Sequence, residues 1–212
     1  MENQINREQI LDWYMDDVLN GIQYSNVYQF AQEHEITEQK FYEFFGHIDQ
    51  IENYFFELLM DKTIETLNNT EEYAQYNSQE KLLSFYYTFF GNMTANRSFV
   101  LHVLKDKNFE TLKKLSGLRK TFKAYIETLD IEKLDLKQKD LNKLQNKAVE
   151  ESAWLQLLAT IQYWKNDTSP RFEKTDIFIE KSLNAGFELI NVEAFNKITD
   201  FGKFLFKEMR SK

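Results

Sequence analysis

Residues 27–45 read VYQFAQEHEITEQKFYEFF, and this stretch decides the fold. Its first half has the apolar spacing of a short helix, with Val27, Phe30 and Ala31 on one face. Its second half is another short helix, which Thr37 can cap at its N-terminus. A four-residue turn separates the two halves. On its pattern alone, the stretch predicts a helix-turn-helix.

The flanking residues predict two more helices around this motif. One spans residues 5–20, and its apolar residues recur at helical spacing with acidic residues on the opposite side; they are Ile5, Ile10, Leu11, Tyr14, Val18 and Leu19. The other spans about 49–67. Either Ser25 or Asn26 can cap the first helix of the motif. Residues 1–60 are accordingly predicted to form one small helical domain.

The rest of the chain predicts a second, larger helical domain at 70–212, which follows the polar stretch 68–77. Asn77 and Glu80 have the spacing of a capping box. The helix that they open is apolar around most of its circumference, which is typical of a central helix. The predicted helices of this domain are 78–92, 97–105, 108–129, 138–165, 173–190 and 194–210. Because the 212 residues include one proline and six glycines, the predicted fold class is all-α.

Motifs for catalysis are absent from the sequence. The chain has no cysteine, and its three histidines do not have the spacing of a metal site. It also lacks a phosphate-binding loop and a nucleophile motif. We therefore predict no catalytic residue, no metal and no cofactor, and we expect that the protein is not an enzyme.

The expected location is the cytoplasm. The first residues are polar and lack the apolar region of a secretory signal. The most apolar run, 85–93, is far shorter than the roughly 20 residues that a transmembrane helix needs.

Several apolar and aromatic residues within residues 8–60 fall at a characteristic spacing: Phe30-Ala31, Ile36-Thr37 and Phe41-Tyr42, followed by Phe45 and Ile51. This spacing resembles the DNA-binding domain of TetR-family transcriptional regulators. The resemblance implies a homodimer with two operator-reading heads and a larger domain that encloses a ligand pocket. Ligand binding then tilts the heads and changes operator affinity. The residues predicted to bind DNA are Ser25, Asn26, Thr37, Gln39, Lys40 and Tyr42.

Charge is the main departure from that family. Residues 1–60 hold 12 acidic and 2 basic residues, a net charge of −10. Family members usually carry basic residues around the second helix of the motif, whereas here Glu38 and Glu43 flank Lys40, its only base, and Ile48 stands where a lysine is usual. Carboxylates repel phosphate. A second interpretation therefore stays open, in which the helix-turn-helix is a packed scaffold that does not bind DNA.

A second resemblance lies in residues 161–183, in the spacing of Trp164, Asp167, Ser169, Phe172 and Thr175. This spacing is similar to a stretch of the lipid-binding coenzyme Q biosynthesis proteins, which share the TetR fold and do not read DNA. That resemblance implies a bound isoprenoid lipid, a dimer, and a C-terminal amphipathic helix at the membrane. A local explanation is also open, because aspartate and serine cap helix ends and the two aromatic residues can pack under the loop.

Residues 195–212 combine apolar and basic residues, with five bases and two acids, a net charge of +3. A basic amphipathic helix of this kind can lie on an anionic membrane surface. Alternatively, it packs on its own domain and leaves its lysines in water.

Aromatic residues on the predicted helices of the larger domain predict an apolar ligand pocket. The predicted lining is Phe85, Tyr86, Phe89, Phe90, Phe122, Tyr125, Trp154 and Leu158, with Phe99 and Tyr163 nearby. Such a lining suits a small hydrophobic or lipid ligand. The alternative is that these residues fill an ordinary core. Dimerisation is expected through the helices at about 145–165 and 173–190, in a four-helix interface.

Three functions follow from these patterns. The leading one is a TetR-like, ligand-responsive transcriptional regulator that binds operator DNA as a homodimer. The alternative is a protein of the same fold that binds a lipid or isoprenoid and has lost DNA binding because its helix-turn-helix is acidic. The third is a scaffold that recognises other proteins through this acidic region.

Overall fold

The computed structural model describes residues 5–105, 109–131 and 139–190, and within these ranges the chain is helical and has no β-strand. The α-helices are α1 (Arg7–Leu19), α2 (Val27–Glu33), α3 (Glu38–Tyr42), α4 (Asp49–Asn68), α5 (Ser78–Ala95), α6 (Arg97–Val103), α7 (Phe109–Lys114), α8 (Ser116–Thr128), α9 (Lys139–Asn166) and α10 (Glu173–Ile190). Short 3-10 helices occupy Glu71–Gln75 and Pro170–Phe172. The predicted all-α class is confirmed. The helix predicted at 194–210 and the basic, amphipathic segment 195–212 lie outside the described residues.

The predicted capping box begins α5 as expected. The Glu80 amide donates to Asn77 Oδ1 over 2.9 Å, and the Asn77 amide donates to Glu80 Oε2 over 2.9 Å. The helix that follows is central, because most of its large apolar side chains are buried: Leu82, Phe85, Tyr86, Phe89, Phe90 and Met93. The box satisfies two amide groups at the helix start that would otherwise lack partners.

The single helix predicted at 108–129 is wrong, because the chain breaks it at Leu115 into α7 and α8. Serine and glycine at positions 116 and 117 weaken a helix at this point. The break lets Leu115 and Leu118 both be buried. It also brings the Gly117 backbone against α4, where a Cβ atom would overlap the side chain of Glu57.

The chain divides into two compact units. The first contains the residues up to Asn69 together with 88–122. Its helices pack in the pairs α1 with α4, α1 with α6, α2 with α3, and α4 with α7. Of the six residues predicted on the apolar face of α1, the four in its middle are buried: Ile10, Leu11, Tyr14 and Val18. Ile5 precedes the helix and is half-buried, and Leu19 at its end is 48% exposed.

The second unit contains residues 70–87 and those from Lys123 onward. In this unit α9 packs along α10. Its buried residues include Tyr125, Trp154, Leu157 and Trp164. The predicted domains, 1–60 and 70–212, stay a prediction.

Candidate functional site

The helix-turn-helix has the local geometry that its sequence predicts. Asn26 rather than Ser25 caps α2, because Asn26 Oδ1 accepts from the Gln29 amide over 3.0 Å. Thr37 caps α3, and its Oγ1 accepts from the Lys40 amide over 3.1 Å. Both caps satisfy amide groups at the helix starts. The motif is therefore complete, from α2 through the turn to α3.

A small aromatic core holds the two helices of the motif together. Phe30 of α2 packs on Phe41 of α3 with ring centroids 5.6 Å apart, and Phe45 packs on Phe41 at 6.0 Å. All three side chains are at most 1% exposed. Each is a residue on which the family resemblance rests, so these positions serve packing of the motif.

The turn between α2 and α3 contains a strained residue. Glu35 has a φ of +52°, in the left-handed region that non-glycine residues rarely adopt. Backbone hydrogen bonds from the His34 and Ile36 amides to the Phe30 and Ala31 carbonyls fix the residues on either side, and the Thr37 cap follows, so the chain holds this conformation despite its cost.

Glycine at position 35 is expected to stabilise the protein by about 0.5 kcal/mol. It removes the left-handed penalty of about 1–2 kcal/mol, and the larger conformational entropy of glycine in the unfolded chain offsets part of that gain. Equilibrium unfolding in urea measures the difference. Glu33→Gly at the exposed end of α2 is the matched control and is expected to destabilise by up to about 1 kcal/mol. Destabilisation by Glu35→Gly would contradict the assignment of strain.

A buried polar cluster fixes the turn to α1. His34 Nε2 lies 2.6 Å from Asp17 Oδ2, and the Tyr24 hydroxyl donates to the same oxygen over 2.6 Å. The imidazole of His34 also stacks on Trp13, with ring centroids 4.8 Å apart and planes 5° from parallel. Asp17 is only 8% exposed. Burial of Tyr24, and then the hydrogen bond from Tyr24 to Asp17, raise the pKa of Tyr24. Sequence reasoning missed this cluster, because it placed the acids of α1 on the solvent side.

The residues predicted to bind DNA divide into capping residues and exposed residues. Asn26 and Thr37 use their side chains as caps, and the Ser25 amide donates to Gln29 Oε1 over 2.9 Å. Gln39 is exposed on α3, and Tyr42 at its end is 52% exposed. Gln39 and Tyr42 are therefore accessible to a partner, as is Glu38 of the same helix.

Lys40 is engaged with its own helix region. Its Nζ lies 2.7 Å from Glu43 Oε2 and 5.2 Å from the centroid of the Phe44 ring. Arg7, the other base among residues 1–60, donates from Nε to the Phe44 carbonyl over 3.2 Å. Its guanidinium lies over the rings of Phe45 and Tyr54, at 5.0 and 4.8 Å. We call helices α1 to α4 the head. These contacts, together with the excess of acidic residues, make the electrostatic potential of the head unfavourable for binding phosphate.

Seven of the eight predicted pocket residues are buried, and Leu158 is half-buried. Of these, Phe89, Phe90 and Phe122 belong to the first unit, and the other five belong to the second. Two of the predicted pocket residues, Phe85 and Tyr125, stack with ring centroids 4.9 Å apart. The assignment of these residues to a ligand pocket stays a prediction.

The two residues predicted near the pocket are placed differently from each other. Phe99 packs edge-on against Tyr14 and Phe55 in the first unit. Tyr163 is 38% exposed, and its ring stacks on that of Phe178 of α10 with centroids 4.4 Å apart.

The Tyr125 hydroxyl makes polar contacts with two other residues of the second unit. Its hydroxyl lies 2.9 Å from the Tyr73 hydroxyl and donates to the Lys81 carbonyl over 3.1 Å. Burial raises the pKa of Tyr125, and the hydrogen bond to Tyr73 raises it further. The hydroxyl therefore stays protonated at neutral pH and joins α8 to the start of α5.

The loop between α9 and α10 is built around Asp167. This carboxylate is 6% exposed and accepts four hydrogen bonds, two from Ser169 and two from Thr175, at 2.7 to 2.9 Å. Burial alone would raise its pKa, but these hydrogen bonds outweigh burial and lower the pKa to about 2. The Trp164 and Phe172 rings pack at 6.1 Å under the loop. The predicted capping role of this motif is confirmed, while its lipid-binding role stays a prediction.

One long face of α9 is exposed and uncharged. The residues on it recur every three or four positions and are all exposed: Ala148, Ser152, Leu155, Ala159, Tyr163 and Asn166. Leu155 is the most exposed large apolar residue in the described chain, at 64%. Long surface helices usually carry charges on such a face, so this one, named the α9 face below, has the composition of a helix-packing surface.

Among residues 5–105, 109–131 and 139–190, no three histidine, aspartate or glutamate side chains come close enough together to hold a metal ion. None of the helices in the described part of the chain is both long and apolar enough to cross a membrane.

The comparisons with known proteins agree with this architecture. A family model described as "Tetracyclin repressor-like, C-terminal domain" matches residues 81–205, which is more than half of the chain. No curated protein matches the chain. The match begins in α5, so it is independent of the helix-turn-helix, which carries the same resemblance at the other end of the sequence. The chain therefore belongs to the TetR family.

Proposed function

We propose that this protein is a ligand-responsive transcriptional regulator that binds operator DNA as a homodimer and has no catalytic activity. The observation that carries this proposal is the complete helix-turn-helix, with both of its helices capped and its aromatic residues buried. The exposed Gln39 and Tyr42 side chains are suited to base edges and to the phosphate backbone, respectively. Regulators of this kind act in the cytoplasm, which is where we expect the protein.

The proposed dimer uses the α9 face. A twofold axis beside this helix would pair two copies of the same uncharged surface, with no buried charge to compensate. Its small residues allow close helix approach, and Leu155 supplies an apolar side chain at the centre. The neighbouring helix α10 contributes the rest of the four-helix interface.

The proposed ligand is small and hydrophobic, or a lipid. The support for it is the set of buried aromatic side chains in the second unit, which includes Tyr86 and the stacked pair Phe85 and Tyr125. Apolar linings with a few hydroxyl groups suit such ligands.

Binding to random-sequence duplex DNA over a series of salt concentrations tests the proposal. We expect that Lys40→Ala weakens binding and reduces the slope of log affinity against log salt by about 1, because one phosphate contact is lost. We expect Glu43→Gln to raise affinity about threefold to tenfold, because it removes a carboxylate and frees Lys40 from its 2.7 Å ion pair. Fluorescence anisotropy with labelled duplex measures both.

The matched controls lie on α4. Lys62 is, like Lys40, a lysine in an ion pair, with Glu8 at 3.2 Å, so Lys62→Ala makes the same change of charge away from α3. Glu65→Gln is the corresponding control for the carboxylate. If Lys62→Ala weakens binding as much as Lys40→Ala, the loss reflects the net charge of the protein and not a phosphate contact at α3. If the intact dimer does not bind DNA at low salt, the regulator proposal fails.

The alternative is a lipid-binding or isoprenoid-binding protein of the same fold that no longer reads DNA. The specific observation that favours it is the charge of the head, in which Lys40 and Arg7 are both engaged in intramolecular contacts. Extraction of the purified protein with organic solvent, followed by mass spectrometry, tests this alternative. A stoichiometric lipid together with no DNA binding would favour it over the regulator.

A further inference from the structure

A buried carboxylate joins three helices of the first unit. Glu52, in the first turn of α4, is 5% exposed. Its Oε1 accepts a hydrogen bond of 3.1 Å from the Tyr14 hydroxyl on α1, and its Oε2 lies 2.7 Å from Lys114 Nζ on α7. Burial, and then the charge of Glu52, raise the pKa of Tyr14, so this hydroxyl remains a donor at neutral pH.

The two charged partners differ in their access to water. The Lys114 side chain is 29% exposed, whereas the Glu52 side chain is 7% exposed. Lysine can therefore leave the contact and be solvated, but the carboxylate cannot. A carboxylate that loses its counter-charge inside a protein is strongly unfavourable. The position of α4 relative to α1 consequently depends on a residue that lies outside the head.

A second contact between the same helices supports this dependence. The Gly117 backbone, at the start of α8, lies so close to α4 that a side chain there would overlap Glu57. Lys114 and Gly117 flank the break at Leu115, and the break directs both toward α4. The corner between α7 and α8 therefore contacts α4 at two of its glutamates.

We propose that Lys114 is a positioning residue of the head, which holds α1 and α4 in register by neutralising buried Glu52. Its consequence for DNA rests on the proposed function: a head that reads base edges must keep a fixed orientation, because hydrogen bonds weaken steeply with misalignment. The register of α1 and α4 can be tested in the protein without DNA.

Hydrogen exchange of the full-length protein, followed by mass spectrometry, tests the proposal without DNA. Lys114→Met keeps most of the length of the side chain and removes its charge. We expect amides of α1 and of the first turn of α4 to exchange at least about tenfold faster in this variant, while amides of α9 and α10 are unchanged. Lys114→Arg keeps the charge and is expected to exchange like the natural protein. Lys113→Met, at the adjacent exposed lysine, is the control for loss of charge on α7.

A double variant separates positioning from general stability. Glu52→Gln combined with Lys114→Met leaves no buried charge, and the amide can still accept from Tyr14, so we expect exchange in α1 and α4 to return toward the natural rate. Unchanged exchange in Lys114→Met would overturn the proposal. So would faster exchange in all helices alike, or a double variant that does not recover.

Duplex binding by the same variants is the functional readout. If the natural protein binds DNA, we expect Lys114→Met to weaken binding and the double variant to restore it. A DNA affinity that Lys114→Met leaves unchanged would overturn the proposed role in reading. If the natural protein does not bind DNA, the proposed function fails, while the exchange experiment still decides whether Lys114 positions the head.

Discussion

Substituting glutamate for Leu155 is expected to convert the proposed homodimer into monomers. Because this side chain is 64% exposed in the single chain, the substitution should alter monomer stability by no more than about 0.5 kcal/mol. In the dimer it would bury two carboxylates near a twofold axis, on a face without basic residues. We expect the dissociation constant to rise at least about a hundredfold, which corresponds to about 2.7 kcal/mol. Sedimentation velocity over a concentration series measures it.

Leu112 offers a matched control for this substitution. It is also a leucine on a helix, 50% exposed, but it lies on α7 in the first unit. Leu112→Glu should leave the dimer intact. A dimer that persists in both variants would place the interface away from the α9 face, and dissociation in both would point to a general effect of the added charge. Loss of the dimer should also weaken DNA binding, because a monomer can place only one head on an operator.

The features that could be predicted from the sequence are those that depend on local spacing. The caps of α2 and α3 and the capping box of α5 each involve residues three positions apart, so a short window contains both partners. The same holds for Asp167, which caps residues two and eight positions away. The helix-turn-helix was predictable for this reason, and its aromatic core followed from the helical period.

Contacts between distant parts of the chain could not be predicted in this way. Glu52 and Lys114 are 62 positions apart, and nothing in either local pattern indicates a pair. The burial of Asp17 depends on His34 and Tyr24, which a helical pattern for α1 does not contain. The break at Leu115 was not predicted because the apolar residues on both sides keep the period of one continuous helix, although Ser116 and Gly117 weaken a helix there. Charge counts showed an acidic head, but because they ignore spacing they did not show the ion pair between Lys40 and Glu43, three positions apart.

Replacing Asp167 with asparagine is expected to cost about 2 kcal/mol of unfolding free energy at pH 7 and to remove a pH dependence. The pKa of this carboxyl is about 2 in the folded protein, below its ordinary value of 3.8. A lowered folded pKa means that the ionised group stabilises the fold above about pH 4, and this contribution is lost as the pH falls through about 2. The difference between natural protein and variant should therefore be largest near pH 7 and should shrink from about pH 5 downward. Urea unfolding at pH 7, 5, 4 and 3 measures it.

Thr168→Ala is the matched control, because Thr168 is the adjacent residue in the same loop and is exposed; it should change stability by less than about 0.5 kcal/mol. A difference for Asp167→Asn that stays constant with pH would mean that the charge of the carboxylate is not what the loop requires.

The backbone of the loop gives a second measurement on Asp167→Asn, because Arg171 and Phe172 both have φ near +60°, at 56° and 60°. When Asp167 no longer holds the loop, this strain should relax, and Phe172 should separate from Trp164, which tryptophan fluorescence reports. If the variant loses stability but still retains any lipid that the natural protein carries, the motif that resembles the lipid-binding proteins serves the loop and not the ligand.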